Sequence, residues 1–131
     1  MITAKLTLLC IDDNAMALQI RKLVLESAGY AVLTATDSAT AMRLFSSEHI
    51  DLVVSDHFLQ RGTGTQLAAL MKRLKPEIPI AIISGAVEPP EGMEYADLFI
   101  CKTESPPEVL RQIAELLEGH ASKQPPKTKL P

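Results

Sequence analysis

Residues 9–14 read Leu9-Cys10-Ile11-Asp12-Asp13-Asn14, an apolar stretch that runs straight into two adjacent carboxylates. Like charges side by side repel, and either would be costly to bury unpaired. The approach to them, Lys5 to Ile11 (KLTLLCI), is short, apolar and rich in Leu and Ile, the pattern of a buried strand. Asn14 is placed to cap a following helix, in which Leu18, Val24, Leu25 and Ala28 form an apolar stripe and Gly29 is the stop. A strand that ends in acids and turns at once into a helix is the first half of a strand–helix unit.

The unit recurs along the chain. Ala31 to Ala35 (AVLTA) reads as a second strand, followed by a helix capped by Asp37 or Ser38 with Ala41, Leu44 and Phe45 inside. Asp51 to Ser55 (DLVVS) is a third strand that ends at Asp56. Gln60 to Thr65 (QRGTGT) is a turn by composition, and the next helix carries Leu67, Leu70, Met71 and Leu74 on one face until Pro76 and Pro79. Ile80 to Ile83 is a fourth strand ending at Ser84, and Asp97 to Cys101 (DLFIC) a fifth ending at Lys102. Pro106-Pro107 opens a last helix, with Val109, Leu110, Ile113, Leu116 and Leu117 facing inward and Gly119 as its close. Strands alternating with helices imply an α/β fold with a parallel sheet covered on both faces. The doubly wound, flavodoxin-like order 2-1-3-4-5 fits five strands best.

A chain of 131 residues suits one domain with a real core, and 47% hydrophobic with 22% charged residues is ordinary globular composition. A net charge of -3 argues against a broad nucleic-acid surface, and the lack of tryptophan argues against base-stacking platforms. No apolar run reaches transmembrane length and the N-terminus lacks a signal-peptide layout, so no membrane partner and a cytoplasmic location are expected. Cys10 and Cys101 read as two buried reduced thiols, too few and too far apart in sequence for a zinc site. The domain is expected over 1–119. Residues 120–131 (HASKQPPKTKLP) read as a disordered tail or the start of a linker.

Asp12, Asp13, Asp56, Ser84 and Lys102 each stand at the carboxyl end of a strand. In a parallel sheet those ends share one edge, and in the order 2-1-3-4-5 strands one and three meet at the switch point where ligands bind. Three converging carboxylates require a proton or a cation. Hard oxygen ligands suit Mg²⁺, Lys102 adds a fixed positive charge, and the Ser84 hydroxyl can donate a hydrogen bond. This is equipment for a phosphoryl group, with a carboxylate as nucleophile, and Asp56, on the strand between its neighbours, is the candidate. Any one of these residues alone reads as turn or helix-start chemistry; their joint placement does not. His57 reads as an exposed loop residue that tunes access, and His49 and His120 as surface residues. An aspartate-nucleophile hydrolase similar to the haloacid dehalogenase-like phosphatases would need a D-x-D pattern after strand one, which Asp12-Asp13-Asn14 does not give.

On these residues the chain, from about Lys5 to Leu117, resembles a response-regulator receiver domain, the phosphoacceptor half of a two-component system. The resemblance implies that Asp56 takes a phosphoryl group from a sensor histidine kinase or phosphotransfer protein. It implies that Asp13 binds Mg²⁺ directly, Asp12 mainly through water, and the backbone carbonyl of Phe58 completes the metal site together with Asp56. Ser84 would move to bond the phosphoryl group, Lys102 would pair with its oxygens, and Phe99 stands where the family places its aromatic switch. Gly64 matches the glycine of the loop after the acceptor. Such a domain is no enzyme beyond its own phosphotransfer and autodephosphorylation. It acts through a downstream protein that the sequence does not name, without direct nucleic-acid contact, and dimerisation is left open. The chain departs from the family in three places. Thr103 replaces the proline that usually follows the lysine in a cis peptide bond. Leu59-Gln60 replaces Met-Pro. The stretch between Ser84 and Lys102, with Glu88-Pro89-Pro90-Glu91-Gly92, is short and allows only a shortened fourth helix. The missing lysine-proline step and the short fourth helix motivate the alternative reading, a binding module of receiver fold regulated little or not at all by phosphorylation.

Overall fold

Both faces of the first strand are apolar because both are covered. In a computed structural model, which describes residues 5–86 and 88–123, β1 (Thr7–Ile11) sends Leu9 and Ile11 to one side and Leu8 and Cys10 to the other, and all four are buried. The elements then follow as α1 (Ala15–Ser27), β2 (Ala31–Ala35), α2 (Ser38–Ser47), β3 (Leu52–Asp56), α3 (Gly64–Leu74) and β4 (Ile80–Ser84). A single 3-10 turn (Met93–Tyr95), β5 (Leu98–Cys101) and α4 (Pro106–Lys123) complete the chain. The five strands form one parallel sheet in the order β2-β1-β3-β4-β5, as the sequence implies.

Two cores lie against the two faces. On one, α2 and α3 pack Ala41, Phe45, Leu67 and Met71 against Leu9, Ile11, Val53 and Ile82. On the other, α1 and α4 pack Leu18, Leu25 and Ile113 against Leu8, Cys10, Val54, Ile83 and Ile100. Burying a side chain of the Leu, Ile or Phe class contributes about 1.5–3 kcal/mol each, so these layers hold the sheet edge on which the polar residues stand.

The helix starts follow local chemistry. Asn14 and Asp37 cap α1 and α2 through side-chain oxygens that accept from the N–H groups of Ala17 and Thr40. Thr63 and Gln66 form a capping box on α3. The shortened fourth helix is reduced to the 3-10 turn: Pro89 and Pro90 supply no N–H, and Gly92 sits at φ +88° immediately before the turn. One boundary differs from expectation. Gly119 does not close α4, which runs on to Lys123. A helical glycine costs only about 1 kcal/mol, less than the packing of the apolar stripe before it supplies. Residues 120–123 therefore belong to the helix, and the remainder of the expected tail, 124–131, lies outside the described residues.

Candidate functional site

The two acids of the opening stretch are treated differently by the fold. Asp12 is 1% exposed while Asp13 is exposed. The Asp12 backbone N–H still donates to Ala35 O of β2 at 3.2 Å, so the chain leaves the sheet only at Asp13. The buried carboxylate is satisfied on both oxygens: Oδ1 accepts from Asn14 N–H at 2.9 Å, and Oδ2 lies 3.2 Å from Arg21 Nη1. Neighbouring carboxylates are tolerable here because one is paired and the other is in water.

Asp56 is the last residue of β3, held between β1 and β4 and 4% exposed. Its surroundings are fixed by backbone bonds: His57 N–H donates to Ile83 O at 2.8 Å, and Gly64 N–H donates to His57 O at 2.6 Å. The second contact clamps the start of α3 over the end of β3. Lys102 Nζ reaches to 2.9 Å of Asp56 Oδ1. That oxygen nonetheless has no aligned hydrogen bond, so the contact is an ion pair. The attraction between full charges depends weakly on angle, so the 2.9 Å separation decides its strength. Asp12, Asp13 and Asp56 each present an oxygen, all within 4.8 Å of one another. Such a set of hard oxygens, one of them without an aligned hydrogen bond, fits a small divalent cation.

Ser84 is the last residue of β4 and fully buried, with Oγ accepting from Ala86 N–H at 3.2 Å. Its carbonyl accepts from Lys102 N–H at 2.8 Å, which ties the serine and the lysine together across the edge. Phe99 lies in β5 opposite Ile82 and is half-buried. Phe58 is 62% exposed, its ring edge-on to His57 with centroids 4.8 Å apart. Among the described residues no peptide bond is cis, in keeping with Thr103 after the lysine.

Two expectations are corrected. His57 is not an exposed loop residue. It is 7% exposed, and its Nδ1 has no hydrogen-bond partner. Burial pushes its pKa below the ordinary value, against the opposing pull of the Asp56 charge. The start of α3 is tied to its backbone, with Gly64 N–H on His57 O, a contact that sequence spacing does not reveal. Cys101 is not buried. It lies at the end of the edge strand with Sγ 3.1 Å from Thr103 Oγ1, and that contact lowers its pKa. Cys10 is buried as expected, and burial raises its thiol to about 12.

Arg21 is the site residue that sequence reasoning missed. It lies three residues after Leu18 and four before Leu25, on the stripe of α1 that faces the sheet. A cation on an otherwise apolar stripe was the available signal.

Among known families, the response regulator receiver domain model matches residues 8–115. The chain belongs to that family. This receiver is 34% identical over 86 residues to the transcriptional regulatory protein GlrR of Escherichia coli, covering 66% of this chain and 19% of the relative. It spans about half the length or less of the curated relatives it matches. A CheY-like receiver domain protein from Methanospirillum hungatei superposes with a TM-score of 0.85 at 25% identity, over 92% of this chain and 100% of that one. Response regulator protein TrrA of Thermotoga maritima, solved in complex with Mg²⁺ and BeF, superposes with a TM-score of 0.80 at 22% identity, over 85% and 98% of the two chains. Among the described residues no helix is long and apolar enough to cross a membrane.

Proposed function

We propose that this receiver accepts a phosphoryl group on Asp56 from a phosphohistidine of a sensor kinase or phosphotransfer protein, and passes the signal to a downstream protein by switching an interaction surface. The observation that carries the reading is the state of Asp56: a buried carboxylate at the switch-point edge, beside two further acids and in contact with one lysine. An Asp56 oxygen forms the new P–O bond, the P–N bond to the donor imidazole breaks, and its electron pair stays on the ring nitrogen. Asp12, Asp13, Asp56 and the carbonyl of Phe58 would hold Mg²⁺, which neutralises phosphoryl charge when bound. That a related receiver fold is found with Mg²⁺ and BeF supports this choice of ion.

The chain's own residues do the rest. Lys102, already at Asp56, can follow the charge onto the phosphoryl oxygens. Ser84 accepts a bond from Ala86 N–H and keeps its O–H available to donate, so it can reach the phosphoryl group if its loop moves inward. Moving a two-state element from mostly off to mostly on needs about 5.5 kcal/mol of differential binding, and two charge-assisted bonds at roughly 1.5–3 kcal/mol each supply a good part of it. Phe99, half-buried one strand away, is the ring that would report the change.

The test is native intact mass with Mg²⁺ and beryllofluoride, or with acetyl phosphate, run beside Asp56→Asn. A Mg²⁺-dependent adduct on the wild type that the variant lacks is the expected result. A folded wild type that takes no adduct, or a variant labelled stoichiometrically, overturns the reading and leaves the phosphate-independent binding module in its place.

A further inference from the structure

We infer that Arg21 is a built-in counter-ion of Asp12 that weakens divalent-cation binding at the acidic edge, and so sets the ion concentration at which the receiver becomes competent. The inference rests on the proposed metal reading of Asp12, Asp13 and Asp56. Arg21 comes from α1, nine positions along the chain from Asp12, and reaches back to place Nη1 3.2 Å from Oδ2. Both side chains are withdrawn from water, at 14% and 2% exposure, so the attraction is poorly screened. A guanidinium does not lose its charge at any ordinary pH. The pair is therefore a constant of the site.

The charge balance gives the consequence. Three carboxylates converge, and two fixed cations, Arg21 on Asp12 and Lys102 on Asp56, leave one net negative charge. An incoming divalent ion competes with Arg21 for the same carboxylate and is repelled by it at close range. Arg21 is not needed to aim that carboxylate, because Oδ1 is independently held by the Asn14 N–H at 2.9 Å. Removing the guanidinium should thus leave the oxygens in place and take away the repulsion. A residue that served only to position Asp12 would give the opposite sign.

The experiment is calorimetric titration of the full, unphosphorylated chain with Mg²⁺, comparing wild type, Arg21→Met, Arg21→Gln and Arg21→Lys at one ionic strength. The Met and Gln variants are expected to bind Mg²⁺ about tenfold more tightly or better, with the Lys variant near wild type. Their melting temperatures should fall in metal-free buffer, where a buried Asp12 has lost its partner, and recover further on adding Mg²⁺ than the wild type gains. Wild-type binding with unchanged or weaker binding in the folded Met and Gln variants overturns the inference and leaves the metal reading intact. Failure of all four chains to bind overturns both. Binding by the Met and Gln variants alone supports the inference in its strongest form.

Discussion

Gly64→Ala tests how tightly the strand that ends in Asp56 is clamped. Gly64 is the first residue of α3, and a Cβ built there lies 2.5 Å from Asp56 O, 3.2 Å from His57 Cα and 3.2 Å from Ile82 Cδ1. Real Cβ atoms essentially never approach within 3.0 Å, so α3 and the end of β3 must part by at least 0.5 Å. The obstacle is backbone on a strand paired on both sides, and Ile82 beneath it is fully buried, so no flexible side chain can give way. Gly64 has no positive φ, which leaves space as the reason for glycine. Overpacking of this kind costs about 1–3 kcal/mol. The better helix propensity of alanine returns less than about 1 kcal/mol at a helix end. The expected net loss is about 1–2 kcal/mol, or roughly 3–8 °C in Tm. Urea denaturation followed by circular dichroism measures it, beside Gly85→Ala, where a Cβ meets nothing within 4 Å. Because Asp56 moves with its backbone, adduct formation should fall as well. A Gly64→Ala chain within about 0.5 kcal/mol of wild type, or more stable, would refute the clamp.

Three further outcomes are expected. Native thiol titration should find Cys101 reacting promptly and below the usual thiol pH range, with Cys10 silent until the protein unfolds; two prompt thiols, or none, would contradict the burial assignment. Glu108 is held at about 2 by hydrogen bonds from the side chains of Arg111 and Gln112. A carboxylate with a depressed folded pKa contributes its full stabilisation above the unfolded value of 4.5 and loses it as pH falls towards 2, so the contribution of this pair to α4 should fade across that window. A carboxyl-carbon NMR titration with Glu108 at an ordinary value would count against it. Gly119→Ala, inside α4 where an added Cβ meets nothing within 4 Å, should raise stability by about 0.5–1 kcal/mol in chemical denaturation, and a loss would mean that the helix ends earlier.

What the sequence made legible was whatever depends on period and order. Apolar runs such as KLTLLCI predict a sheet buried on both faces, and acids at strand ends predict a shared edge because parallel strands all finish on the same side. Asp12, Asp56, Ser84 and Lys102 meet for that reason alone. What was not legible depends on contacts between distant elements. His57 follows a strand and reads as loop, yet it is buried, and α3 folds back to bond its carbonyl through the Gly64 N–H. Cys101 sits in an apolar word, DLFIC, but alternation turns Phe99 and Cys101 away from Ile100. The segment between β4 and β5 offers one 3-10 turn where a full helix would give cover. Arg21 sits between the two cases. Its position on the inward stripe was readable, while its partner was not, because nothing in spacing says that a side chain on α1 reaches back to the residue just after β1. The acidic pair of LCIDDN is therefore explained only in part by the strand it ends. The rest of the explanation lies in Arg21 and Asn14, which pair both oxygens of the buried Asp12 side chain while Asp13 remains in water.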